Sequence, residues 1–119
     1  MPINRKAASP VAWSDVCKLG EQFPGVEQST SFGRPALKVK GKFLILIRDE
    51  EHLVVHIDKE SRELVMAADS EAFYITDHYK NYPAMLIRIA KVTKAQLHEL
   101  LEQAWRSQAP RALLKAFSQ

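Results

Sequence analysis

The chain has 119 residues, a formal charge of +3, and hydrophobic and charged fractions of 46% and 26%, values that exclude a disordered or low-complexity polypeptide and fit one globular domain, residues 1–119. Its single cysteine, Cys17, excludes an internal disulfide, and no apolar run approaches the roughly 20 residues needed to span a bilayer. The leading MPINRKAASP lacks the apolar core of a signal peptide, so a reduced, cytoplasmic setting with no membrane contact is expected.

In chain order, the first helix is expected to open at Ser9-Pro10. Ser9 would cap free amides, and Pro10 suits the first helical position, where its missing N–H is not needed. Ala12, Val16, Leu19 and Phe23 then recur at helical spacing, and Pro24-Gly25 ends the run. Cys17 borders that stripe and reads as a small core thiol. Four β patterns follow, Val26–Phe32, Ala36–Val39, Phe43–Ile47 and His52–Ile57. Lys40-Gly41-Lys42 and Asp49-Glu50-Glu51 are short enough connections to make the joined strands antiparallel neighbours. Asp58 can cap a helix over Lys59–Ala68, with Leu64, Val65 and Ala68 expected inward. A helical turn at residues 69–71 leads to Phe73-Tyr74-Ile75, a loop over 76–83 and a strand predicted over Ala84–Val92. Thr93 with Gln96 three residues on has the form of a capping box. Leu97, Leu100, Leu101, Ala104 and Trp105 give its helix a buried face. Pro110 opens a last short helix with Leu113, Leu114 and Phe117 on its apolar side. This order describes an α+β fold, an antiparallel sheet packed on one face by helices.

Charge is distributed in blocks. Residues 34–48 carry five cations (Arg34, Lys38, Lys40, Lys42, Arg48) and no acid, residues 49–77 nine acids against two bases, and residues 78–119 seven bases against two acids. Faces of opposite sign favour oriented docking. Lys38, Lys40 and Lys42 read equally as a solvated edge that discourages aggregation or as an anion-binding surface along one strand face and turn. Arg34, set between Gly33 and Pro35, offers a planar fork for phosphate or carboxylate. Arg88 lies inside the apolar strand; turned outward it is solvated, and turned inward it needs an acidic partner.

His52 and His56 have H-x-x-x-H spacing, but HLVVHI reads as a strand. Residues four apart there lie about 13 Å apart, whereas two ligands of one zinc approach within roughly 4 Å; no metal site is expected. His78 sits in the polar, aromatic loop TDHYKNYP. Three readings stand for it: a loop ordered by Tyr79 and Tyr82, a contact to ligand or nucleic acid with Lys80 nearby, or a general base. No nucleophile or phosphate cradle accompanies it, so an enzyme is not expected.

The segments SFGRPALKVKGK, DEEHLVVHID, ITDHYKNYPAMLIRIA and LLEQAWRSQAPRALL together resemble the MmcQ/YjbR-like proteins, in order and over nearly the whole chain. The resemblance implies a compact frataxin-like (CyaY-like) domain and a DNA-binding role of "double wing" type. It places Phe32, Gly33, Arg34, Pro35, His78, Tyr79, Pro83 and Arg88 at signature positions and brings no catalytic residues with it. Frataxins bind iron on an acidic helix ridge, whereas this first helix has only Asp15 and Glu21; no cofactor is expected. The resulting expectation is a monomeric, non-enzymatic DNA-binding domain. Its contacts would come from Arg34, Lys38, Lys40, Lys42, His78, Tyr79, Lys80, Tyr82 and Arg88. The alternative is a small-ligand or protein-interaction domain with a pocket between the 33–35 turn and the 76–83 loop, suited to a small anionic ligand.

Overall fold

A computed structural model describes residues 11–118. Helix α1 spans Trp13–Gly20, followed by strands β1 (Val26–Ser31), β2 (Arg34–Val39), β3 (Lys42–Ile47) and β4 (His52–His56). Helix α2 (Lys59–Ala68), strand β5 (Phe73–Tyr74), a single 3-10 turn at Asp77–Tyr79 and strand β6 (Ala84–Arg88) come next, and helices α3 (Lys94–Gln108) and α4 (Arg111–Ser118) close the chain. The strands form one antiparallel sheet in the order β1-β2-β3-β4-β6-β5. This is the α+β arrangement that the spacing predicts. Among the described residues no helix is long and apolar enough to cross a membrane.

Two hairpins fix the register of the first three strands. Ser31 pairs with Arg34 and Val39 with Lys42, leaving two-residue turns, Phe32-Gly33 and Lys40-Gly41. All four turn residues have positive φ (53°, 75°, 49° and 82°), as a type I′ hairpin requires at both central positions. Glycine accepts this freely; Phe32 and Lys40 do so at a cost of roughly 1–2 kcal/mol each. The turn expected at 33–35 is therefore Phe32-Gly33, and Arg34 already belongs to β2.

Strand alternation sorts the apolar residues onto two faces. Leu37, Val39, Ile45, Leu53, Val55, Met85 and Ile87 point into the main core under the helices. Ala36, Leu46, Val54, Ala84 and Leu86 point the other way and are partly covered by Phe43, Tyr74 and Tyr79. Helix α3 supplies the expected Leu97, Leu100, Leu101, Ala104 and Trp105 to the main core. Its cap is the expected box: Thr93 Oγ1 accepts from the Gln96 amide at 3.0 Å, and the Thr93 amide donates to Gln96 Oε1 at 2.9 Å. Trp105 is fully buried, and its indole N–H donates to the Pro24 carbonyl at 2.8 Å, so the ring carries no unpaired donor inside.

One expectation lies outside the described residues, and four others fail for identifiable reasons. Ser9 and Pro10 lie outside the described residues; the described helix starts at Trp13, where the Asp15 carboxylate accepts from the Ala12 amide at 2.9 Å. Ala12 is accordingly exposed, and the buried stripe is Val16, Cys17 and Gly20. Burial pushes the Cys17 thiol above its ordinary pKa, in keeping with a core thiol. The helix also stops before Phe23, because the Phe23 amide donates to the Gly20 carbonyl at 3.0 Å and its ring packs against both Trp105 and Phe117. In α2, Leu64 is 72% exposed and Ala68 is exposed too; the inward stripe is Arg62 with Val65 and Met66. Lastly, β6 ends at Arg88. A turn closed by the Val92 amide on the Arg88 carbonyl (3.2 Å) buries Ile89 and Val92 in the main core without extending the strand.

Candidate functional site

The helix-free face of the sheet carries a pocket of about 470 Å³, within the size range of small-molecule and cofactor sites. Its floor is Leu46, Val54 and Ala84, with Phe43 at one side. Phe32 borders it from the first hairpin, and His78, Tyr79, Tyr82 and Pro83 border it from the 76–83 loop. Arg34 and Arg48 line one end. They arrive there because Ala36 pairs with Leu46, and two positions on from that pair stand Arg34 in β2 and Arg48 one residue past the end of β3. Among the described residues no acidic side chain is in ion-pair reach of either guanidinium, and no acid lines the pocket. Two cations lining one pocket above an apolar floor, with no acidic partner among the described residues, form a site of anion preference.

The loop wall is rigid for a reason the sequence conceals. Arg62 is 3% exposed, and its guanidinium reaches out of α2 into the loop. Nη1 donates to the carbonyls of Tyr79, Tyr82 and Ala84 at 3.1, 2.7 and 2.9 Å, and Nη2 donates to the Lys80 carbonyl at 3.2 Å. Only Arg62 Nε lacks a partner. The converging carbonyls act as a counter-charge for the buried cation. The rings add to this order: His78 meets Tyr79 edge-on at 4.8 Å and Tyr82 at 5.8 Å.

The expected contact residues divide into four groups. Arg34, His78, Tyr79 and Tyr82 come together around the pocket, as the sequence reading requires of any site there. Lys80 is exposed on the same loop, with its carbonyl held by Arg62. Lys38, Lys40 and Lys42 do not share one face. Lys38 pairs with Phe43, so it belongs to the open face, whereas Lys42 pairs with Val39 of the main core. The irregularity between Leu37 and Lys38 and the left-handed turn at Lys40-Gly41 break the alternation that the spacing suggested. Lys40 and Lys42 thus stand at the end of β2 opposite to Arg34. Arg88 is engaged elsewhere: its guanidinium lies 3.9 Å from the centre of the Tyr74 ring and donates to the Glu71 carbonyl at 2.8 Å, so it is stabilised without any acidic partner.

Sequence reasoning missed Phe32 as a turn residue at the rim, Arg48 as the partner of Arg34, Arg62, and His56. His56 and His52 sit at opposite ends of β4. His52 Nδ1 contacts Asp49 at 3.0 Å, while His56 lines the pocket and lies 3.4 Å from Ser107 Oγ. Burial holds the His56 pKa below its ordinary 6.5, against the weaker upward pull of Asp58. The folded state therefore binds this proton less readily than the unfolded chain. Stability from this group is complete above pH 6.5 and declines as pH falls through the depressed folded value. His56→Gln is expected to flatten thermal melts across that window, leaving the carboxylate-driven loss at lower pH. A parental melt that is already flat just below pH 6.5 would refute it.

A family model described as YjbR matches residues 21–107. Uncharacterized proteins of Mycobacterium tuberculosis and Mycobacterium bovis are 38% identical over 64 residues, 53% of this chain and 50% of each relative, so the match spans half the length of those proteins. The crystal structure of a Deinococcus radiodurans protein with a DUF419 family domain superposes with a TM-score of 0.70 at 17% identity, covering 93% of this chain and 91% of that one, which shows a shared fold.

Proposed function

The chain belongs to the YjbR family, and on that footing we propose that it is a non-enzymatic nucleic-acid-binding domain whose contact surface is the open face of the sheet. The observation that carries this reading is that Arg34 and Arg48, with no acidic side chain in ion-pair reach among the described residues, line the end of a pocket walled by aromatic rings. Phosphates need cations, and bases offer ring faces that stack on aromatic side chains with little regard to sequence. Phe32 and Tyr82, 95% and 56% exposed, are free to stack in this way. The tip lysines Lys40 and Lys42, at a distance from the pocket, together supply no more than one further phosphate contact.

Anisotropy titrations with labelled single-stranded and duplex oligonucleotides at two salt concentrations test this. Binding that weakens with salt is expected. Lys40→Ala combined with Lys42→Ala should lower the salt slope by no more than one phosphate contact, about 0.7 on a single strand. A drop equivalent to two full contacts, with most of the affinity lost, would move the surface to the hairpin tip. Absence of binding at low salt to any oligonucleotide would end the nucleic-acid reading. In that event the size of the pocket favours a second reading, a small anionic ligand with an apolar body. Chemical-shift mapping with nucleotides and acidic metabolites would then report on Leu46, Val54 and His78.

A further inference from the structure

Phe32 is doubly out of place for a structural residue. It occupies a positive-φ turn position at φ 53°, where asparagine, aspartate or glycine would sit without strain, and its ring is 95% exposed. Neither condition helps folding, since the ring is absent from both apolar clusters. What the ring does is border the pocket, two residues before Arg34 in the chain and across the floor from the 76–83 loop. The pocket so bounded has an aromatic group on each side, an apolar floor of Leu46, Val54 and Ala84, and two guanidiniums at one end. Its volume of about 470 Å³ accommodates one planar ring with an attached phosphate.

A paired base in a duplex shows only its edges in the grooves, with its faces covered by its neighbours in the stack, so it cannot reach such a floor. We infer that the pocket takes a single unpaired nucleobase, with Phe32 closing over one face of the ring and Arg34 and Arg48 holding the adjoining phosphate. The domain therefore selects single-stranded or locally unpaired nucleic acid over intact duplex. This inference rests on the nucleic-acid reading above and adds to it the form of the ligand.

The test uses Phe32→Asn, because asparagine suits the left-handed turn and the variant is expected to fold at least as stably as the parent. A short oligonucleotide carrying 2-aminopurine at one position is titrated as a single strand and as its duplex. The expected result is tighter binding of the single strand, a change in 2-aminopurine emission as the base enters the pocket, and a roughly tenfold loss of single-strand affinity in Phe32→Asn. The thermal midpoint of Phe32→Asn should be unchanged or raised, and Phe32→Trp should bind the single strand as the parent does. Equal affinity for single strand and duplex, or Phe32→Asn binding the single strand as the parent does, would overturn the inference while leaving a nucleic-acid-binding domain. A lowered thermal midpoint in Phe32→Asn would mark the ring as structural and overturn it too. No binding of either form would remove the reading beneath it as well.

Discussion

Arg62→Met is expected to lower folding stability by about 3 kcal/mol, the scale at which breaking a buried, hydrogen-bonded charge cluster is felt. Methionine keeps much of the apolar stem but removes the donors that hold the Tyr79, Lys80, Tyr82 and Ala84 carbonyls. Of these, the Ala84 contact is fully buried, so its oxygen has no ready substitute in water. A loss of this size is a large part of the roughly 5–15 kcal/mol that stabilises a typical domain and corresponds to a fall of about 10 °C in Tm. The effect should also be local. Amide exchange should quicken over residues 79–84 more than in α3, because the loop has few other anchors. Arg62→Lys keeps the charge but not the fork, and it should recover less than half of the loss. A change below about 1 kcal/mol with exchange unaltered would show that the ring contacts of His78, Tyr79 and Tyr82 order the loop without the guanidinium.

Arg62 also shows why part of the site was hidden in the sequence. In KESRELVMAA the charged residue is discounted as solvent-facing, so the phase of the helix is read from Leu64, Val65 and Ala68. The true stripe begins at Arg62 and continues through Val65 and Met66, because three carbonyls of the 76–83 loop and that of Ala84 in β6, some twenty residues away, satisfy the cation. No local pattern contains that information. The elements that were legible are those with local determinants. The Lys40-Gly41 turn, the Thr93–Gln96 box and the five-residue apolar face of α3 each declare themselves within a few positions. Strand β6 was overrun for the opposite reason: Ile89 and Val92 are apolar, but a turn buries them as well as a strand would. The meeting of Arg34 with Arg48 depends on a register that includes the irregularity at Leu37/Lys38, which composition does not signal.

That meeting makes the two arginines the point at which substitution should affect binding most. Arg34→Ala combined with Arg48→Ala is expected to reduce affinity for a single-stranded oligonucleotide on the order of 100-fold, or about 3 kcal/mol, if each guanidinium makes one charge-assisted contact. The salt slope should fall by about 1.4, two phosphate contacts on a single strand. Folding should not suffer: Arg34 is exposed, Arg48 is half-buried, and neither has an acidic partner among the described residues to lose. Removing two neighbouring like charges should raise stability by a few tenths of a kcal/mol at low salt. The double lysine variant separates charge from geometry, because it should restore most of the slope while recovering only part of the affinity, ammonium groups lacking the planar fork. Parental affinity and slope in the double alanine variant would place the nucleic-acid surface away from the pocket, and the hairpin tip at Lys40 and Lys42 would then be the region to test.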